Sequence, residues 1–217
     1  MAVALVLLTF DTATPLVTVA VHDGADVVAE LSGETAMRHG EELAPLIAAA
    51  LDRVGIVRQD LTAIGVGVGP GPFTGLRVGL VTARTLGFVL EIPVYGVCTL
   101  DVLALEAAER GVGGDFVVAT DARRKEVYFA SYDADGVRLD GPVVDKPAVL
   151  ATDLPVAGEG ARLYPEAFPN AVEPTRPSAG WLAVAIAEER AELTDPDPLY
   201  LRRPDAVAPG PAKQVGT

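Results

Sequence analysis

Two aspartates are the residues best placed for chemistry, because each one ends an apolar run that predicts a buried strand. Leu8-Thr9-Phe10-Asp11 can be laid over Val118-Ala119-Thr120-Asp121 at an offset of 110 residues. In a duplicated α/β fold, Asp11, its neighbour Thr12 and Asp121 could line a cleft that holds a magnesium nucleotide. The turns that follow carry Ala13 and Arg123 where a closely approaching phosphate would favour glycine. The sequence therefore predicts a nucleotide cleft that has lost tight binding.

The chain has few other residues that could form a catalytic or metal-binding site. The chain has two histidines, His22 and His39, and one cysteine, Cys98, and no pattern groups them into a metal site. There is no G-x-S-x-G elbow for a serine nucleophile. Cys98 lies in an apolar strand-like run, where a lone cysteine is usually an inert core residue. The sequence thus predicts neither a catalytic residue nor a metal ligand, and a peptidase acting through His39 is the weakest alternative.

The glycine-proline loop, defined here as Gly65 to Arg77, joins a predicted strand to a predicted helix and at first sight resembles a phosphate loop. It lacks the lysine of a Walker loop, and Pro70 and Pro72 remove two backbone N–H donors. We interpret the loop as a rigid turn whose glycines permit close backbone packing and whose Pro72 adjoins the start of the helix. An ordinary connection between a strand and a helix is compatible with the same pattern.

The helix predicted from Phe73 to Leu90 is apolar almost all round, so it needs cover on two sides. One side can pack on a sheet. The other requires a second helix or another protein chain, because large exposed apolar patches are rare on monomers. A second predicted helix, Leu43 to Val54, could supply that cover within the chain. Both interpretations stay open on the pattern alone.

The order of the predicted elements places these residues in an α/β fold. The first half reads as three strands, a helix, a strand and a helix, and the second half repeats that order in shortened form. Chance similarity between two α/β segments is the alternative to duplication. We expect a first domain at 1–105, a smaller second domain at 106–203 and a flexible tail at 204–217. The predicted strands run over Ala4–Phe10, Leu16–Val21, Asp26–Leu31, Leu61–Val68 and Pro155–Gly158, with a short one near Val137, and the last predicted helix over Ser178–Ala191.

Composition limits the partners and the compartment. The chain has 217 residues, of which half are hydrophobic, so a sizeable core can form. Thirty acidic against 17 basic residues give a formal charge of −13, which opposes independent binding of a polyphosphate chain. The apolar start lacks a basic region and a cleavage site, and Phe73 to Leu90 carries Arg77 and Arg84. We therefore expect no signal peptide, no membrane span and a cytoplasmic protein.

Five stretches resemble the TsaB (YeaZ) family, a subunit of the bacterial pathway that makes threonylcarbamoyladenosine beside the tRNA anticodon. The glycine-proline loop with its Phe-Thr-Gly-Leu-Arg sequence is the most specific of the five, and the likeness extends from about Leu5 to Arg203. Family members often have serine where this chain has Pro72, a departure that leaves the loop's role intact. The stretches are Asp11-Thr12-Ala13, the segment from Arg38 to Ile47, Gly69 to Gly79, Asp121 to Tyr128, and Tyr200-Leu201-Arg202.

The resemblance implies the duplicated fold of actin, the sugar kinases and the heat-shock ATPases, with two related βββαβα halves around a cleft. It also implies a chain that is not an enzyme by itself, since the family is a catalytically silent relative of these proteins. On this view Asp11, Thr12 and Asp121 are vestiges of a nucleotide cleft. No cofactor would then be bound tightly, and ATP with magnesium would act only in the assembled complex.

For function, the resemblance implies a scaffold that binds the catalytic paralogue TsaD as a heterodimer. With the ATPase TsaE it would support transfer of threonylcarbamoyl from its adenylate to tRNA adenosine, and its own contact with tRNA would be indirect. The contact with TsaD is expected on the two helices of the first domain, and a homodimer is left open for the isolated chain. An active ATPase or small-molecule kinase that uses Asp11 and Asp121 is the rival. The predicted contact residues are Leu43, Leu46, Ile47, Ala50, Leu76, Leu80 and Ala83.

Overall fold

The first half of the chain forms a five-stranded sheet. The computed structural model describes residues 5–33 and 37–202. The strands of this sheet are β1 (Leu7–Asp11), β2 (Thr18–His22), β3 (Val27–Ser32), β4 (Ala63–Gly67) and β5 (Val94–Val97). Their order is β3-β2-β1-β4-β5, in which β1 to β3 are antiparallel neighbours and β4 and β5 run parallel to β1.

Helices cover both faces of this first sheet. On one face lie α1 (His39–Val54) and α2 (Phe73–Leu90), which share a core with inward-facing residues of β1, β2 and β4. On the other face lies a helix from later in the chain, Ala179–Ala187, and α3 (Thr99–Glu109) packs beside that helix. The central strands β1, β2 and β4 are therefore buried on both sides, which explains their nearly continuous apolar runs, whereas the edge strand β3 alternates buried or half-buried with exposed residues.

The second half forms a four-stranded sheet. Its strands are β6 (Phe116–Asp121), β7 (Val127–Tyr132), β8 (Arg138–Asp145) and β9 (Val156–Ala157), in the order β8-β7-β6-β9. A short helix, α4 (Glu159–Leu163), follows β9 and packs on β6, and the helix Ala179–Ala187 is α5. Strands β6 to β9 thus correspond one to one with β1 to β4. This correspondence confirms the predicted duplicated α/β fold.

The repeat is close but not uniform along the strands. Asp11 is the last residue of β1 and Asp121 the last of β6, as the offset of 110 predicts. Asp11 pairs with Thr18, whereas Asp121 pairs with Val127, so the second turn is one residue shorter than the offset implies. Strand β8 has eight residues, longer than the short strand predicted near Val137.

Small residues let α2 lie close to the first sheet. Its buried positions alternate leucine or alanine with glycine, and Pro72 stands just before the helix as predicted. At this contact a glycine removes the Cβ that would otherwise hold the helix away from the strands. The buried residues of α2 are Gly75, Leu76, Gly79, Leu80, Ala83 and Gly87.

The predicted domain boundaries need two corrections. The expected division between 105 and 106 falls inside α3, which packs against both sheets and so belongs to neither half alone. Helix α5 falls within the predicted second domain but packs on β1 and β2 of the first sheet. The hydroxyl of Thr9 donates to the carbonyl of Ala179 (2.7 Å), and the N–H of Ala179 donates to the hydroxyl of Thr18 (3.2 Å). Chain order hides this return, because α5 lies far from its sheet in sequence.

By length and composition, α2 is the one helix among the described residues that could cross a membrane. One third of that segment is buried within the fold, against the sheet and α1. Its apolar character is thus used partly in the core. The predicted tail at 204–217 lies outside the described residues.

Candidate functional site

The turn after β1 is closed by the chain's own hydrogen bonds. Asp11 is only 1% exposed, and its two carboxylate oxygens accept from the N–H of Ala13 (2.6 Å) and the hydroxyl of Thr99 (2.7 Å). Burial raises the pKa of the Asp11 carboxyl, and the two hydrogen bonds oppose that rise. The hydroxyl of Thr12 donates to the carbonyl of Gly75 in α2 (2.8 Å). Both predicted cleft residues of the first half are therefore engaged inside the fold.

Glycines make this closure possible. A Cβ on Gly67 would overlap the carboxylate of Asp11, and a Cβ on Gly71 would overlap the backbone of Ala13. The glycine-proline loop therefore presses directly on the turn after β1, which confirms its predicted role in close packing. In the same way, a Cβ on Gly75 or on Gly79 of α2 would overlap Thr12.

The corresponding turn after β6 is more open. The carboxylate of Asp121 is partly exposed, accepts the N–H of Arg123 (2.8 Å) and lies 3.2 Å from its guanidinium. Arg123, Arg124 and Lys125 have φ values of 61°, 56° and 62°, a left-handed run that residues other than glycine rarely adopt. The three charged side chains of this turn therefore project from a left-handed backbone segment.

The space between the two turns is almost filled. It amounts to a cavity of about 10 Å³, which is close to the smallest volume that holds one water molecule. Little room is therefore left between Ala13 and Asp121, although the two halves enclose a larger cavity between the glycine-proline loop and Ala122. The lining of the smaller cavity includes Ala13, Pro72, Asp121, Arg123 and Glu159.

The predicted contact residues need a correction, because six of the seven lie in the core. They occupy the inward stripes of α1 and α2, where they pack against the first sheet and have almost no surface. The regular apolar spacing that singled them out marks the face that a helix buries against its own sheet. Only Leu46 keeps a partly exposed side chain. The six core residues are Leu43, Ile47, Ala50, Leu76, Leu80 and Ala83.

Helix α2 also exposes bulky apolar side chains on the side away from the sheet, where Arg84 and Thr85 are exposed among them. Val81, Phe88 and Val89 are 61%, 86% and 65% exposed, and we call these three residues the outer α2 face. Val81 and Phe88 are seven residues apart, so they lie on the same side of the helix. Sequence reasoning recognised that the helix is apolar all round but selected its buried side. The periodicity carries no signal that distinguishes the two sides.

Helix α1 lies beside α2 and exposes mainly small side chains. Ala44, Pro45, Ala48 and Ala49 are exposed on its outward side, with Glu41 and Asp52 near its two ends. Small side chains allow the backbone of another helix to approach closely. The outward surfaces of α1 and α2 therefore form a shallow platform with bulky apolar residues on one side only.

An aromatic cluster ties the start of α2 to the last described residues. The ring of Phe73 stacks on that of Tyr200, with centroids 5.3 Å apart, and the guanidinium of Arg77 lies 3.7 Å over the Phe73 ring. Arg77 Nε also donates to the hydroxyl of Tyr200 (3.3 Å). A cavity of about 330 Å³ opens beside this cluster, with Tyr128 on its wall. The Tyr200 stretch was noted in the sequence, but no pattern indicated that it contacts α2.

Metal and thiol chemistry find no support in the part of the chain that the structure describes. Within residues 5–33 and 37–202, no group of three or more His, Cys, Asp or Glu residues could hold a metal ion. Burial, with Asp101 nearby, raises the pKa of the Cys98 thiol to about 12. His39 is buried with Nε2 2.7 Å from the carbonyl oxygen of Thr14, which can only accept, so Nε2 carries the proton. Both residues are held in structural positions.

Comparison with known proteins shows the family to which this chain is similar over most of its length. Residues 30–204 match the family model of TsaD, tRNA N6-adenosine threonylcarbamoyltransferase. An uncharacterized protein of Mycobacterium tuberculosis is 44% identical over 204 residues, which cover 92% of each chain. The tRNA threonylcarbamoyladenosine biosynthesis protein TsaB of Bacillus subtilis is 32% identical over 156 residues, covering 72% of this chain and 67% of that protein.

A solved structure extends the likeness to the fold. YeaZ from Pseudomonas aeruginosa superposes with a TM-score of 0.74 at 29% sequence identity, covering 91% of this chain and all of that one. The similarity therefore includes both sheets and the helices that surround them.

Proposed function

This chain belongs to the TsaB (YeaZ) family, and we propose that it is a non-catalytic scaffold subunit in tRNA threonylcarbamoyladenosine biosynthesis. In this proposal it supports a complex that transfers threonylcarbamoyl from its adenylate to the tRNA adenosine beside the anticodon. Its direct partner is a TsaD-type catalytic paralogue, and a TsaE-type ATPase joins the pair. The protein then acts in the cytoplasm, where the tRNA substrate of the complex is.

The observation that carries this proposal is the outer α2 face. Its three side chains lie on one helix, and Phe88 is the most exposed large hydrophobic residue among those described. A cluster of bulky apolar side chains on a helix surface is typical of a docking site for another protein. Beside it, the small residues of α1 leave room for a partner helix. A four-helix bundle formed by α1, α2 and two partner helices would cover both.

The closed turn after β1 supports the non-catalytic part of the proposal. Each carboxylate oxygen of Asp11 already accepts one hydrogen bond, and the buried carboxylate lies under α2, which leaves little room for a hydrated magnesium ion. We therefore propose that the isolated chain binds no nucleotide tightly and that ATP acts only in the assembled complex. The charge of −13 supports indirect contact with tRNA, made through the partner.

The test is titration calorimetry of the chain with the TsaD-type paralogue from the same genome. Phe88→Glu should weaken binding by about 100-fold or more, because it places a charge in the centre of an apolar contact. Val89→Glu should also weaken it. Val149→Glu is the matched control, since Val149 is 66% exposed and lies in the second half, away from α2. Circular dichroism checks that each variant keeps its fold.

Two outcomes would contradict the proposal. One is undiminished binding by folded Phe88→Glu and Val89→Glu proteins. The other is micromolar binding and turnover of magnesium-ATP by the isolated chain, which would favour the rival ATPase or kinase.

A further inference from the structure

A polar cavity of about 550 Å³ lies away from the outer α2 face. It is bounded by α3, by α4 and by the segment 173–178, whereas α1 and α2 lie on the opposite face of the first sheet. Its volume is in the range of small-molecule sites, but its walls carry charged rather than apolar side chains. The charged residues on its walls are Glu106, Arg110, Glu159, Arg162, Glu173 and Arg176.

Glu106 is the unusual residue of this cavity. It is 4% exposed, and its Oε1 accepts from Nε (2.9 Å) and from Nη2 (2.7 Å) of Arg110. Its Oε2 is buried and has no hydrogen-bond partner within the described residues. Burial raises the pKa of the Glu106 carboxyl, and Glu30 and Glu173 nearby add to the rise. A buried acceptor without a donor is costly, so this oxygen is suited to a donor from a ligand.

Two neighbouring acids, Glu173 and Glu30, are exposed and already accept hydrogen bonds. Glu173 forms an ion pair with Arg162 and accepts from the hydroxyl of Thr175 (3.0 Å). Glu30 accepts from the hydroxyl of Ser178 (2.7 Å) and from the N–H of Gly180 (3.2 Å). Among the carboxylate oxygens of Glu30, Glu106 and Glu173, only Glu106 Oε2 is both buried and without a hydrogen-bond partner in the described part of the chain.

The opposite charge is supplied by Arg176. This arginine is exposed on the same cavity and has no hydrogen bond or ion pair within 4 Å among the described residues. Its only described interaction is the longer-range attraction to Glu159, which counteracts the rise in the pKa of that carboxyl. A guanidinium in this state can take a carboxylate through two parallel hydrogen bonds.

We propose that this cavity binds a free amino acid, with the ammonium group donating to Glu106 Oε2 and the carboxylate held by Arg176. A zwitterion fits both features, since it supplies the missing donor and meets the exposed cation without adding net charge. The walls carry three glutamates and three arginines, so their formal charges balance and suit a zwitterion better than the net negative charge of a nucleotide. The proposal does not rest on the proposed scaffold function, which uses other helices.

The test titrates each common L-amino acid singly into the full chain, at millimolar concentration, by calorimetry and by NMR chemical-shift mapping. At least one should bind, with shifts around α3 and the segment 173–178. Its Nα-acetyl derivative, which lacks the ammonium, and its amide, which lacks the carboxylate, should both bind at least about tenfold more weakly.

Two variants locate the site. Glu106→Gln and Arg176→Ala should each weaken binding by about tenfold or more, whereas Arg58→Ala, an exposed arginine outside the cavity, should not. Arg176 lies on the surface, so its variant keeps the test valid if Glu106→Gln fails to fold. The proposal is overturned if no amino acid binds, if neither variant changes binding, or if magnesium-ATP occupies this cavity instead.

Discussion

The two halves of the molecule share an aspartate at the end of their first strand and use it differently. In the first half, Asp11 is buried, hydrogen-bonded on both oxygens and covered by α2. In the second half, Asp121 stays partly exposed, and the helix after the fourth strand has five residues instead of 18. In the first half, the turn after the first strand therefore packs directly against the long helix α2. One side of α2 packs against the first sheet, and the opposite side, which is exposed to solvent, carries the outer α2 face.

The largest expected effect concerns the glycines that close the first turn. Gly71→Ala should destabilise the protein by about 3 kcal/mol, because the new Cβ would overlap the backbone of Ala13, which cannot move aside as a flexible side chain can. Urea unfolding followed by circular dichroism measures the change.

Gly113→Ala is the control for that prediction. Nothing lies within 4 Å of the position of its Cβ, so its free energy of unfolding should change by less than about 1 kcal/mol. Equal effects of the two substitutions would show that the turn after β1 is not tightly closed.

A smaller effect is expected from Asp11→Asn, and its sign depends on pH. Burial raises the pKa of Asp11 in the folded state, so the folded state binds the proton more strongly than the unfolded state does. Wild-type stability should therefore fall, relative to Asp11→Asn, as pH rises from below the ordinary aspartate pKa through the raised value. At neutral pH the variant should be at least as stable as the wild type, with a gain below about 2 kcal/mol.

Urea unfolding of both proteins at acidic and at neutral pH checks this prediction. Asp121→Asn sharpens the comparison of the two halves, because it removes a partly exposed ion pair with Arg123 and should cost less than about 1 kcal/mol. A clear loss of stability in Asp11→Asn at neutral pH would contradict the described burial of its carboxylate.

The smallest effect is expected at the start of α2. Tyr200→Leu removes the ring stacked on Phe73 and the hydroxyl that accepts from Arg77. The loss should be about 1 kcal/mol, seen as a modest decrease in the urea midpoint. Leu139→Ala, on an exposed position of β8, should change the midpoint less. The opposite order would mean that the aromatic cluster does not hold the last described residues to α2.

Much of the fold could be predicted because local patterns determine it. The apolar runs that end at Asp11 and Asp121 are enough to predict two similar strand pairs. Three features depend on long-range packing and leave no local pattern. These are the return of α5 to the first sheet, the position of α3 between the two sheets and the added length of β8.

The candidate site was predictable only in outline. The glycines of the loop indicated close packing, and the structure shows what they pack against. Periodicity marked the buried stripe of α2, whereas Phe88 and Val89 became candidates only once exposure was known. No sequence pattern indicated Glu106, because the cavity around it is formed by α3, α4 and the segment 173–178, which lie far apart in sequence.

The most direct test of the central claim is the amount of threonylcarbamoyladenosine in tRNA from cells that depend on this chain. Nucleoside mass spectrometry would compare the Asp11→Asn, Asp121→Asn double variant with the Phe88→Glu, Val89→Glu double variant, each expressed at wild-type level. A scaffold that acts through α2 predicts full modification with the first variant and near-complete loss with the second. Loss with the aspartate variant and full modification with the helix variant would contradict it.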